Sequence, residues 1–267
     1  MNIKAYESDF LAFKDELLSF VFRLVSNRAQ AEDLIHDTYI KAFDKLDTFR
    51  QESTFKTWVF AIAHNLAKNQ LAKQKRWRED AQQTNARLHI NSEKMFNDMR
   101  AVYDSKPDAN FEIKEHITYC FNCMAKTLEI QQQMCLWLKN VYDFKVHEIM
   151  TITGLTEGKV KHALADGRKH LIRIFDDKCA FVSKNGTCHQ CSSLKGILNP
   201  KQDAQTEANR IKMVKEGASA EKERLLDLRV ELVQSINPLD TPSAHLHTYF
   251  LENSPKWVEM ALSKEKP

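Results

Sequence analysis

The sequence predicts an all-α protein with two helical domains, and three observations support that fold class. The chain of 267 residues holds only 6 Gly and 6 Pro, which disfavours a turn-rich β fold. A hydrophobic fraction of 43% is enough for packed cores and argues against broad disorder. Apolar residues recur at the 3.6-residue period of a helix along most of the chain.

The first predicted domain covers residues 6–76 and contains three amphipathic helices. Their apolar stripes start at Phe10, Leu34 and Phe55. Ser53 or Thr54 precedes the third stripe and is suited to cap that helix. Residues 77–110 are polar and lose the helical period, so they are predicted to be a linker with some transient helix.

The second predicted domain covers residues 111–175 and ends in a helix-turn-helix. Two amphipathic stripes flank a turn that places Gly154 at the bend and Thr156 at the cap of the second helix. Earlier in this domain Cys120 lies on an apolar helix face, where ordinary core packing is the simpler interpretation.

Two further segments follow the second domain. Residues 176–202 are rich in cysteine, and residues 203–267 form a charged extension predicted to be largely helical. One helix is expected from about residue 203 to 235, and a short one near the end of the chain.

The segment 49–69 mixes aromatic, amide and cationic side chains on adjacent helical turns. A core helix has no need of this mixture, whereas a surface that holds single-stranded DNA uses rings for the bases and cations for the phosphates. Between His64 and Arg78 the chain carries five cations and no acid. That block suits phosphate contact, although the same pattern is common on a solvated helix face.

The start of the chain lacks the basic, apolar and small-residue regions of a signal peptide, and no stretch is apolar enough to span a membrane. We therefore expect a cytoplasmic protein without membrane insertion. Its 6 Cys are then expected to be buried, metal-binding or redox-active rather than in structural disulfides. No phosphate-cradling Gly-rich loop or nucleophile elbow is present, so we expect no enzymatic activity and no required cofactor.

Four soft or borderline metal ligands lie close together in the Cys-rich segment. They are Cys179, Cys188, His189 and Cys191. Zinc is bound tetrahedrally by Cys₃His sets, so the segment is a candidate site for zinc or another soft metal. The spacing is not that of a standard zinc finger. A surface loop with reduced thiols, or a redox pair of Cys188 and Cys191, are the alternatives that the sequence leaves open.

Three segments in a fixed order resemble the extracytoplasmic-function sigma factors of bacterial RNA polymerase. Residues 31–43 resemble the core-polymerase-binding helix, segment 49–69 the promoter-melting and −10 recognition part, and residues 145–175 the −35-reading helix-turn-helix. The resemblance covers roughly residues 6–176. It implies that the two domains are sigma regions 2 and 4.

The resemblance also implies partners and contact residues. Core RNA polymerase and promoter DNA are the implied partners, and the sequence leaves open whether an anti-sigma factor binds. Core polymerase would bind the face with Glu32, Asp33, Asp37 and Tyr39. The −10 element would be melted and held by Phe55, Trp58, Asn65, Lys68, Asn69, Lys73, Lys75 and Arg76. The −35 element would be contacted by Thr156, Lys159, Lys161, His162, Arg168 and Lys169.

Simpler interpretations exist for two of these sets. Acidic residues early in a helix complement its dipole, so Glu32, Asp33 and Asp37 are also consistent with simple capping. Trp58 is also consistent with a partly buried core aromatic.

Several residues depart from the family pattern. They are Ala61 in the melting helix and Ala163, Asp166 and Gly167 in the recognition helix. An acid in a recognition helix weakens phosphate attraction and can accept a hydrogen bond from cytosine. Gly167 costs the helix up to ~1 kcal/mol relative to Ala. The −35 sequence of relatives is therefore not transferable to this chain.

Two other functions would each use part of the sequence. A stand-alone helix-turn-helix regulator would bind duplex DNA without polymerase, but it leaves segment 49–69 unexplained. A thiol-redox or metal-sensing protein would use the Cys-rich segment, but the redox form of that idea expects a βαβ context that is absent. We also hypothesise that the extension from residue 176 controls exposure of the DNA-binding faces in response to metal or thiol state.

Overall fold

The computed structural model describes residues 3–264, and most of that range is helical. The helices in this range are α1 Ile3–Val25, α2 Arg28–Asp44, α3 Phe55–Leu71, α4 Ala81–Ile90, α5 Glu93–Asp104, α6 Ile113–Ala125, α7 Ile130–Asn140, α8 Val146–Thr153, α9 Glu157–Lys178, α10 Gln190–Leu198, α11 Ala204–Ala208, α12 Lys212–Glu216, α13 Lys222–Gln234 and α14 Ala244–Lys264. The described residues contain no strand beyond one isolated bridge between Cys179 and Cys188. The all-α prediction is confirmed.

The helices group into two compact units. The first contains the residues up to Arg76 together with Leu128–Arg168, and the second contains Trp77–Thr127 together with the residues from Lys169 onward. The predicted second domain is therefore divided between the units. The reason is that α7 packs on α1 and α3 and α8 packs on α3, whereas α6 is the core of the other unit.

The core of the first unit forms where α1, α2 and α3 pack together. The C-terminal half of α1 supplies Leu17, Phe20 and Leu24, each 0% exposed. The ring centroid of Phe20 lies 5.4 Å from that of Phe60 on α3. Each such side chain contributes about 1.5–3 kcal/mol on full burial, so this packing holds α3 against α1.

The predicted helix-turn-helix is confirmed, and both of its marker residues have the expected roles. α8 ends at Gly154, whose φ of +71° is the left-handed conformation that favours glycine. The hydroxyl of Thr156 accepts a hydrogen bond from the amide of Lys159 at 3.4 Å, which caps α9.

Within the first unit, α7 and α8 pack on α1 and α3. Phe144, which precedes α8, lies 4.8 Å from Phe60 between ring centroids. The buried guanidinium of Arg23 on α1 lies 5.1 Å from the ring centroid of the buried Trp137 on α7. The helix-turn-helix is thus an integral part of the unit that contains segment 49–69.

Residues 77–110 are more ordered than the predicted linker, since they form α4 and α5. The amide of Asn85 donates a hydrogen bond to the hydroxyl of Ser254 at 2.6 Å. The buried ring of His89 lies 4.6 Å from that of Trp257. The prediction of transient helix was wrong because the partners of these polar residues lie on α14, 169 positions away for Asn85 and Ser254.

The second unit is built around α6, of which 11 of 13 residues are buried. Helices α10, α11, α13 and α14 pack on it. Lys195 of α10 is 0% exposed, and its ammonium donates to the carbonyl of Phe111 at 2.7 Å and pairs with Glu207. This buried pair ties the extension to the start of α6.

The extension is helical as predicted but differently divided. The single helix expected over about residues 203–235 is three helices, α11, α12 and α13. The helix expected near the end is long, and α14 continues through Pro255. None of the helices in the range 3–264 is both long and apolar enough to cross a membrane.

Candidate nucleic-acid interface

Helix α2 presents an acidic face to solvent. Its cap is Asn27, whose side chain accepts a hydrogen bond from the amide three residues on at 2.8 Å. Glu32 and Asp33 lie beyond the first turn and are exposed, as is Asp37. Ile40, 43% exposed, lies one to two turns further along the side of Asp33 and Asp37. Glu32 pairs with Arg28 at 3.0 Å, and capping does not account for Asp33 or Asp37, so this acidic and apolar surface is open to a partner.

Tyr39, the fourth residue assigned to this surface, is half-buried. Its hydroxyl donates a hydrogen bond to Glu7 at 3.4 Å, and its ring lies 4.5 Å from that of Phe43. Its contacts therefore join α2 to α1, and only part of the side chain is left for a partner.

Helix α3 begins as predicted and carries the aromatic part of segment 49–69. The hydroxyl of Thr54 accepts a hydrogen bond from the amide of Thr57 at 3.1 Å, which confirms the expected cap. Phe55 is 8% exposed and packs in a cluster of rings. Trp58 is half-buried, with its centroid 5.2 Å from Phe49 and 5.9 Å from Phe55. Phe55 thus supports Trp58 from beneath, and Trp58 keeps an accessible portion.

The amides and the cation that follow Trp58 lie at the surface. Asn65, Lys68 and Asn69 are all exposed on successive turns of α3. The ring of His64 lies beneath them, with Nδ1 3.3 Å from Oδ1 of Asn65. Burial lowers the pKa of His64 to about 4, so this ring is neutral at physiological pH. The surface combines a ring, two amides and a cation, which can stack on a base, hydrogen-bond its edge and contact phosphate.

The basic residues after α3 differ in their exposure to solvent. Lys73 and Lys75 are exposed. Arg76 is half-buried, and its guanidinium donates a hydrogen bond to the side chain of Gln133 on α7 at 2.6 Å. Burial lowers the pKa of Arg76 to about 10, which keeps it charged at neutral pH. Lys73 and Lys75 are therefore free to meet phosphates, whereas Arg76 is bound within the unit.

One side of α3 is covered by α8. Thr57 is 0% exposed and donates a hydrogen bond from its hydroxyl to Glu148 of α8 at 3.4 Å. The ammonium of Lys56 lies 5.2 Å from the ring centroid of Phe144 and 2.6 Å from a carboxylate oxygen of Glu16. This contact could not be predicted from the sequence, because Thr57 and Glu148 lie 91 positions apart in the chain.

The helix-turn-helix exposes most of the residues assigned to the −35 element. Thr156, Lys159, Lys161, His162 and Lys169 are exposed, and Arg168 is half-buried. Lys161 pairs with Glu157 at 2.6 Å, and this partner lowers the pKa of the exposed Glu157 carboxyl. The N-terminal turns of α9 thus carry cations where a recognition helix touches base edges.

Three residues of α9 depart from the family pattern, and the structure explains two of them. Ala163 is 8% exposed and faces the core. Gly167 is buried against α7, and a Cβ built on it would lie 3.4 Å from Leu136 and 3.6 Å from Gln132. Asp166 is exposed, and nothing in the structure explains it.

The Cys-rich segment is arranged differently from the predicted ligand set. Cys179, Cys188 and Cys191 line one cavity, and the fourth sulfur there is Cys120 of α6. His189 is exposed and does not line the cavity. Cys120 therefore lies beside three other cysteines, which the core-packing interpretation did not predict. Within residues 3–264 no group of three or more His, Cys, Asp or Glu side chains is gathered closely enough to hold a metal ion as it stands.

One known protein family matches the N-terminal part of the chain. Residues 10–77 match the model for sigma-70 region 2, a range that contains the acidic face of α2 and the whole of α3. Among curated proteins, the RNA polymerase sigma-H factor of Pseudomonas aeruginosa is 24% identical over 166 residues, 62% of this chain and 83% of that protein.

Two further relatives are extracytoplasmic-function (ECF) sigma factors. EcfG of Rhodopseudomonas palustris is 26% identical, covering 61% of this chain and 81% of the relative. The sigma-E factor of Escherichia coli K12 is also 26% identical, covering 62% and 84%.

A solved complex of the sigma factor RpoE with the anti-sigma factor NepR from Bartonella quintana overlaps 64% of this chain and 97% of the matched chain, with 22% identity and a TM-score of 0.45. At that score the two chains agree only in part. Residues 10–77 therefore contain a sigma-70 region 2 domain, and 61–62% of the chain is similar to RNA polymerase sigma factors that include ECF members.

Proposed function

We propose that this protein directs core RNA polymerase to specific promoters and opens the −10 element. The observation that carries the proposal is the exposed surface of α3, where Trp58, Asn65, Lys68 and Asn69 lie within the region 2 match. A ring supported from below, two amides and a cation are the groups that hold an extruded base and its phosphate.

The other two surfaces support the same function. The exposed carboxylates Glu32, Asp33 and Asp37 on α2 would bind a basic or helical surface of core polymerase. The cationic start of α9 would dock in the major groove at the −35 element. A protein that binds core polymerase and promoter DNA would act in the cytoplasm.

A partner that covers these faces would switch the protein off. An anti-sigma factor is the partner that we propose for that role, and it would compete with core polymerase for α2 or with DNA for α3. Competition between such a factor and core polymerase in a pull-down would support this assignment, and simultaneous binding would contradict it.

Run-off transcription tests the main proposal. Purified protein is added to core polymerase from a related bacterium with a library of promoter fragments, and transcripts are sequenced. We expect transcripts from a shared −35 and −10 pattern only when both proteins are present. Absence of protein-dependent transcripts across the library would refute the proposal. Tight duplex binding without polymerase would instead favour the stand-alone regulator.

A further inference from the structure

Four cysteines from distant parts of the second unit line one small cavity. Cys120 comes from α6, Cys179 directly follows α9, and Cys188 and Cys191 lie at the start of α10. All four are free thiols. The sequence separates Cys120 from the others by about sixty residues, so only the packing of α6 against the Cys-rich segment brings them together.

The loop between Cys179 and Cys188 is built to hold two of these thiols side by side. The two residues form the isolated bridge of the chain's described part. The amide of Cys188 donates to the carbonyl of Lys178 at 2.8 Å, and the amide of Ala180 donates to the carbonyl of Cys188 at 3.3 Å. A Cβ at Gly186 would lie 2.5 Å from the backbone nitrogen of Ala180, so the loop closes only with glycine there.

The size of the cavity limits what it can hold. Its volume is about 30 Å³. Pockets for organic ligands are roughly 300–1,000 Å³, whereas about 10–15 Å³ is enough for one water. The space suits a single ion or one or two waters and excludes a small organic molecule.

The charged groups that line the cavity also limit what it can bind. Two cations line the cavity, Lys178 and the buried Arg229, and no carboxylate does. The guanidinium carbon of Arg229 lies 3.9 Å from the ring centroid of Phe175, and the ammonium of Lys178 donates to the carbonyl of Glu79. The thiols are the groups in the lining that can supply negative charge, and they do so only when deprotonated.

We propose that Cys120, Cys179, Cys188 and Cys191 bind one thiophilic d¹⁰ metal ion, with zinc as the first candidate. Four thiols would lose four protons to solvent and gain four bonds to Zn²⁺, giving a tetrahedral centre of net charge −2. Lys178 and Arg229 carry a compensating +2 beside it. Because the sulfurs are not yet at metal-binding separation, binding draws the side chains toward the cavity centre.

The geometry favours a metal over a redox pair. A metal ion deprotonates the thiols by coordination, so four thiols around one small cavity suit it. The site also includes a cysteine from another helix, which a local redox pair of Cys188 and Cys191 does not require.

Metal analysis of the full-length protein tests the proposal. Protein purified under reducing conditions is loaded with Zn²⁺, freed of excess ion and assayed for metal and intact mass. We expect one zinc per chain and no disulfide. In the Co²⁺-loaded protein we expect the absorption of tetrahedral thiolate coordination. Absence of stoichiometric zinc, or a disulfide formed in its place, would overturn the proposal.

Variants separate this ligand set from the one that the sequence suggested. Cys120→Ser should weaken zinc binding by more than the roughly 10–100-fold that loss of an outer partner causes. His189→Ala should retain zinc, and so should Cys123→Ser, a matched control on α6 that lies outside the cavity. Retention by Cys120→Ser, or loss in His189→Ala alone, would refute the set. If Cys120→Ser does not fold, as judged by circular dichroism, the cobalt spectrum of the unmodified chain decides.

Discussion

The hydroxyl of Thr57 on α3 donates a hydrogen bond to the carboxylate of Glu148 on α8, with the two oxygens 3.4 Å apart. The other carboxylate oxygen of Glu148 accepts a hydrogen bond from the amide of Lys145 at 2.8 Å. One side chain therefore caps the first helix of the helix-turn-helix and joins it to the helix of segment 49–69. Helix α3 and the first helix of the helix-turn-helix share one packed unit, so a change in one is expected to affect the other.

Loss of Glu148 should destabilise the first unit. Glu148→Ala removes the cap of α8 and leaves the buried Thr57 hydroxyl without this acceptor, at a cost of about 1–2 kcal/mol in the free energy of unfolding. Thermal or urea unfolding measures the change. Glu157→Ala is the control, because its pair with Lys161 is exposed and screened by solvent. Equal stability of the two variants would contradict the role assigned to Glu148.

Removing the α3 amides should impair promoter opening without affecting the fold. Asn65→Ala combined with Asn69→Ala deletes two exposed amides and should lower open-complex formation by roughly 10-fold, since each lost hydrogen bond is worth about 0.5–1.5 kcal/mol. Permanganate reactivity of unpaired thymines measures opening, and core binding should be unchanged. Asn91→Ala, an exposed amide in the other unit, is the control. Normal opening by the double variant would remove α3 from the proposed base-capture surface.

Reversing a charge on α2 should weaken core polymerase binding. Asp37→Lys places a cation on the acidic face and should raise the dissociation constant by roughly 10-fold or more, with a larger effect at low salt. Fluorescence titration with core polymerase measures it. Asp108→Lys makes the same charge change at an exposed site in the second unit and should bind normally. A similar loss in both variants would indicate a general charge effect rather than an interface.

Replacing Gly167 of α9 with alanine should stabilise the protein. Gly167→Ala gains helix propensity of up to ~1 kcal/mol. The added methyl meets Leu136 at ordinary contact distance, 3.4 Å, so little repacking is needed. We expect a higher melting temperature in thermal unfolding. A lower melting temperature would show that α7 cannot accommodate the methyl group.

Acid should destabilise the first unit through His64. Its pKa is about 4 in the folded chain against an ordinary 6.5, because burial disfavours the charged ring. The unfolded chain therefore binds the extra proton first, and stability present above pH 6.5 is lost as the pH falls toward 4, by up to about 1.4 kcal/mol per pH unit. Urea unfolding of His64→Asn should show a pH slope smaller by about one proton over that window. An unchanged slope would mean that His64 is not buried neutral.

Much of the candidate DNA surface could be predicted from local pattern. The cap at Thr54, the turn at Gly154 and the cap at Thr156 each depend on residues within four positions, so their hydrogen bonds follow from the sequence alone. The exposure of individual side chains to solvent could not be predicted in the same way. Arg76 lies in the same basic block as Lys73 and Lys75, yet it is bound to Gln133, 57 positions away.

The all-α class, the helix-turn-helix and the mixed surface of α3 follow from local sequence, because helical period, capping and turn conformation are short-range properties. Three features depend on packing between distant residues: α8 lies on α3, residues 77–110 fold into helices against α14, and Cys120 replaces His189 beside the other three cysteines. Each depends on which apolar faces bury one another, and that choice is made by packing between residues far apart in the chain.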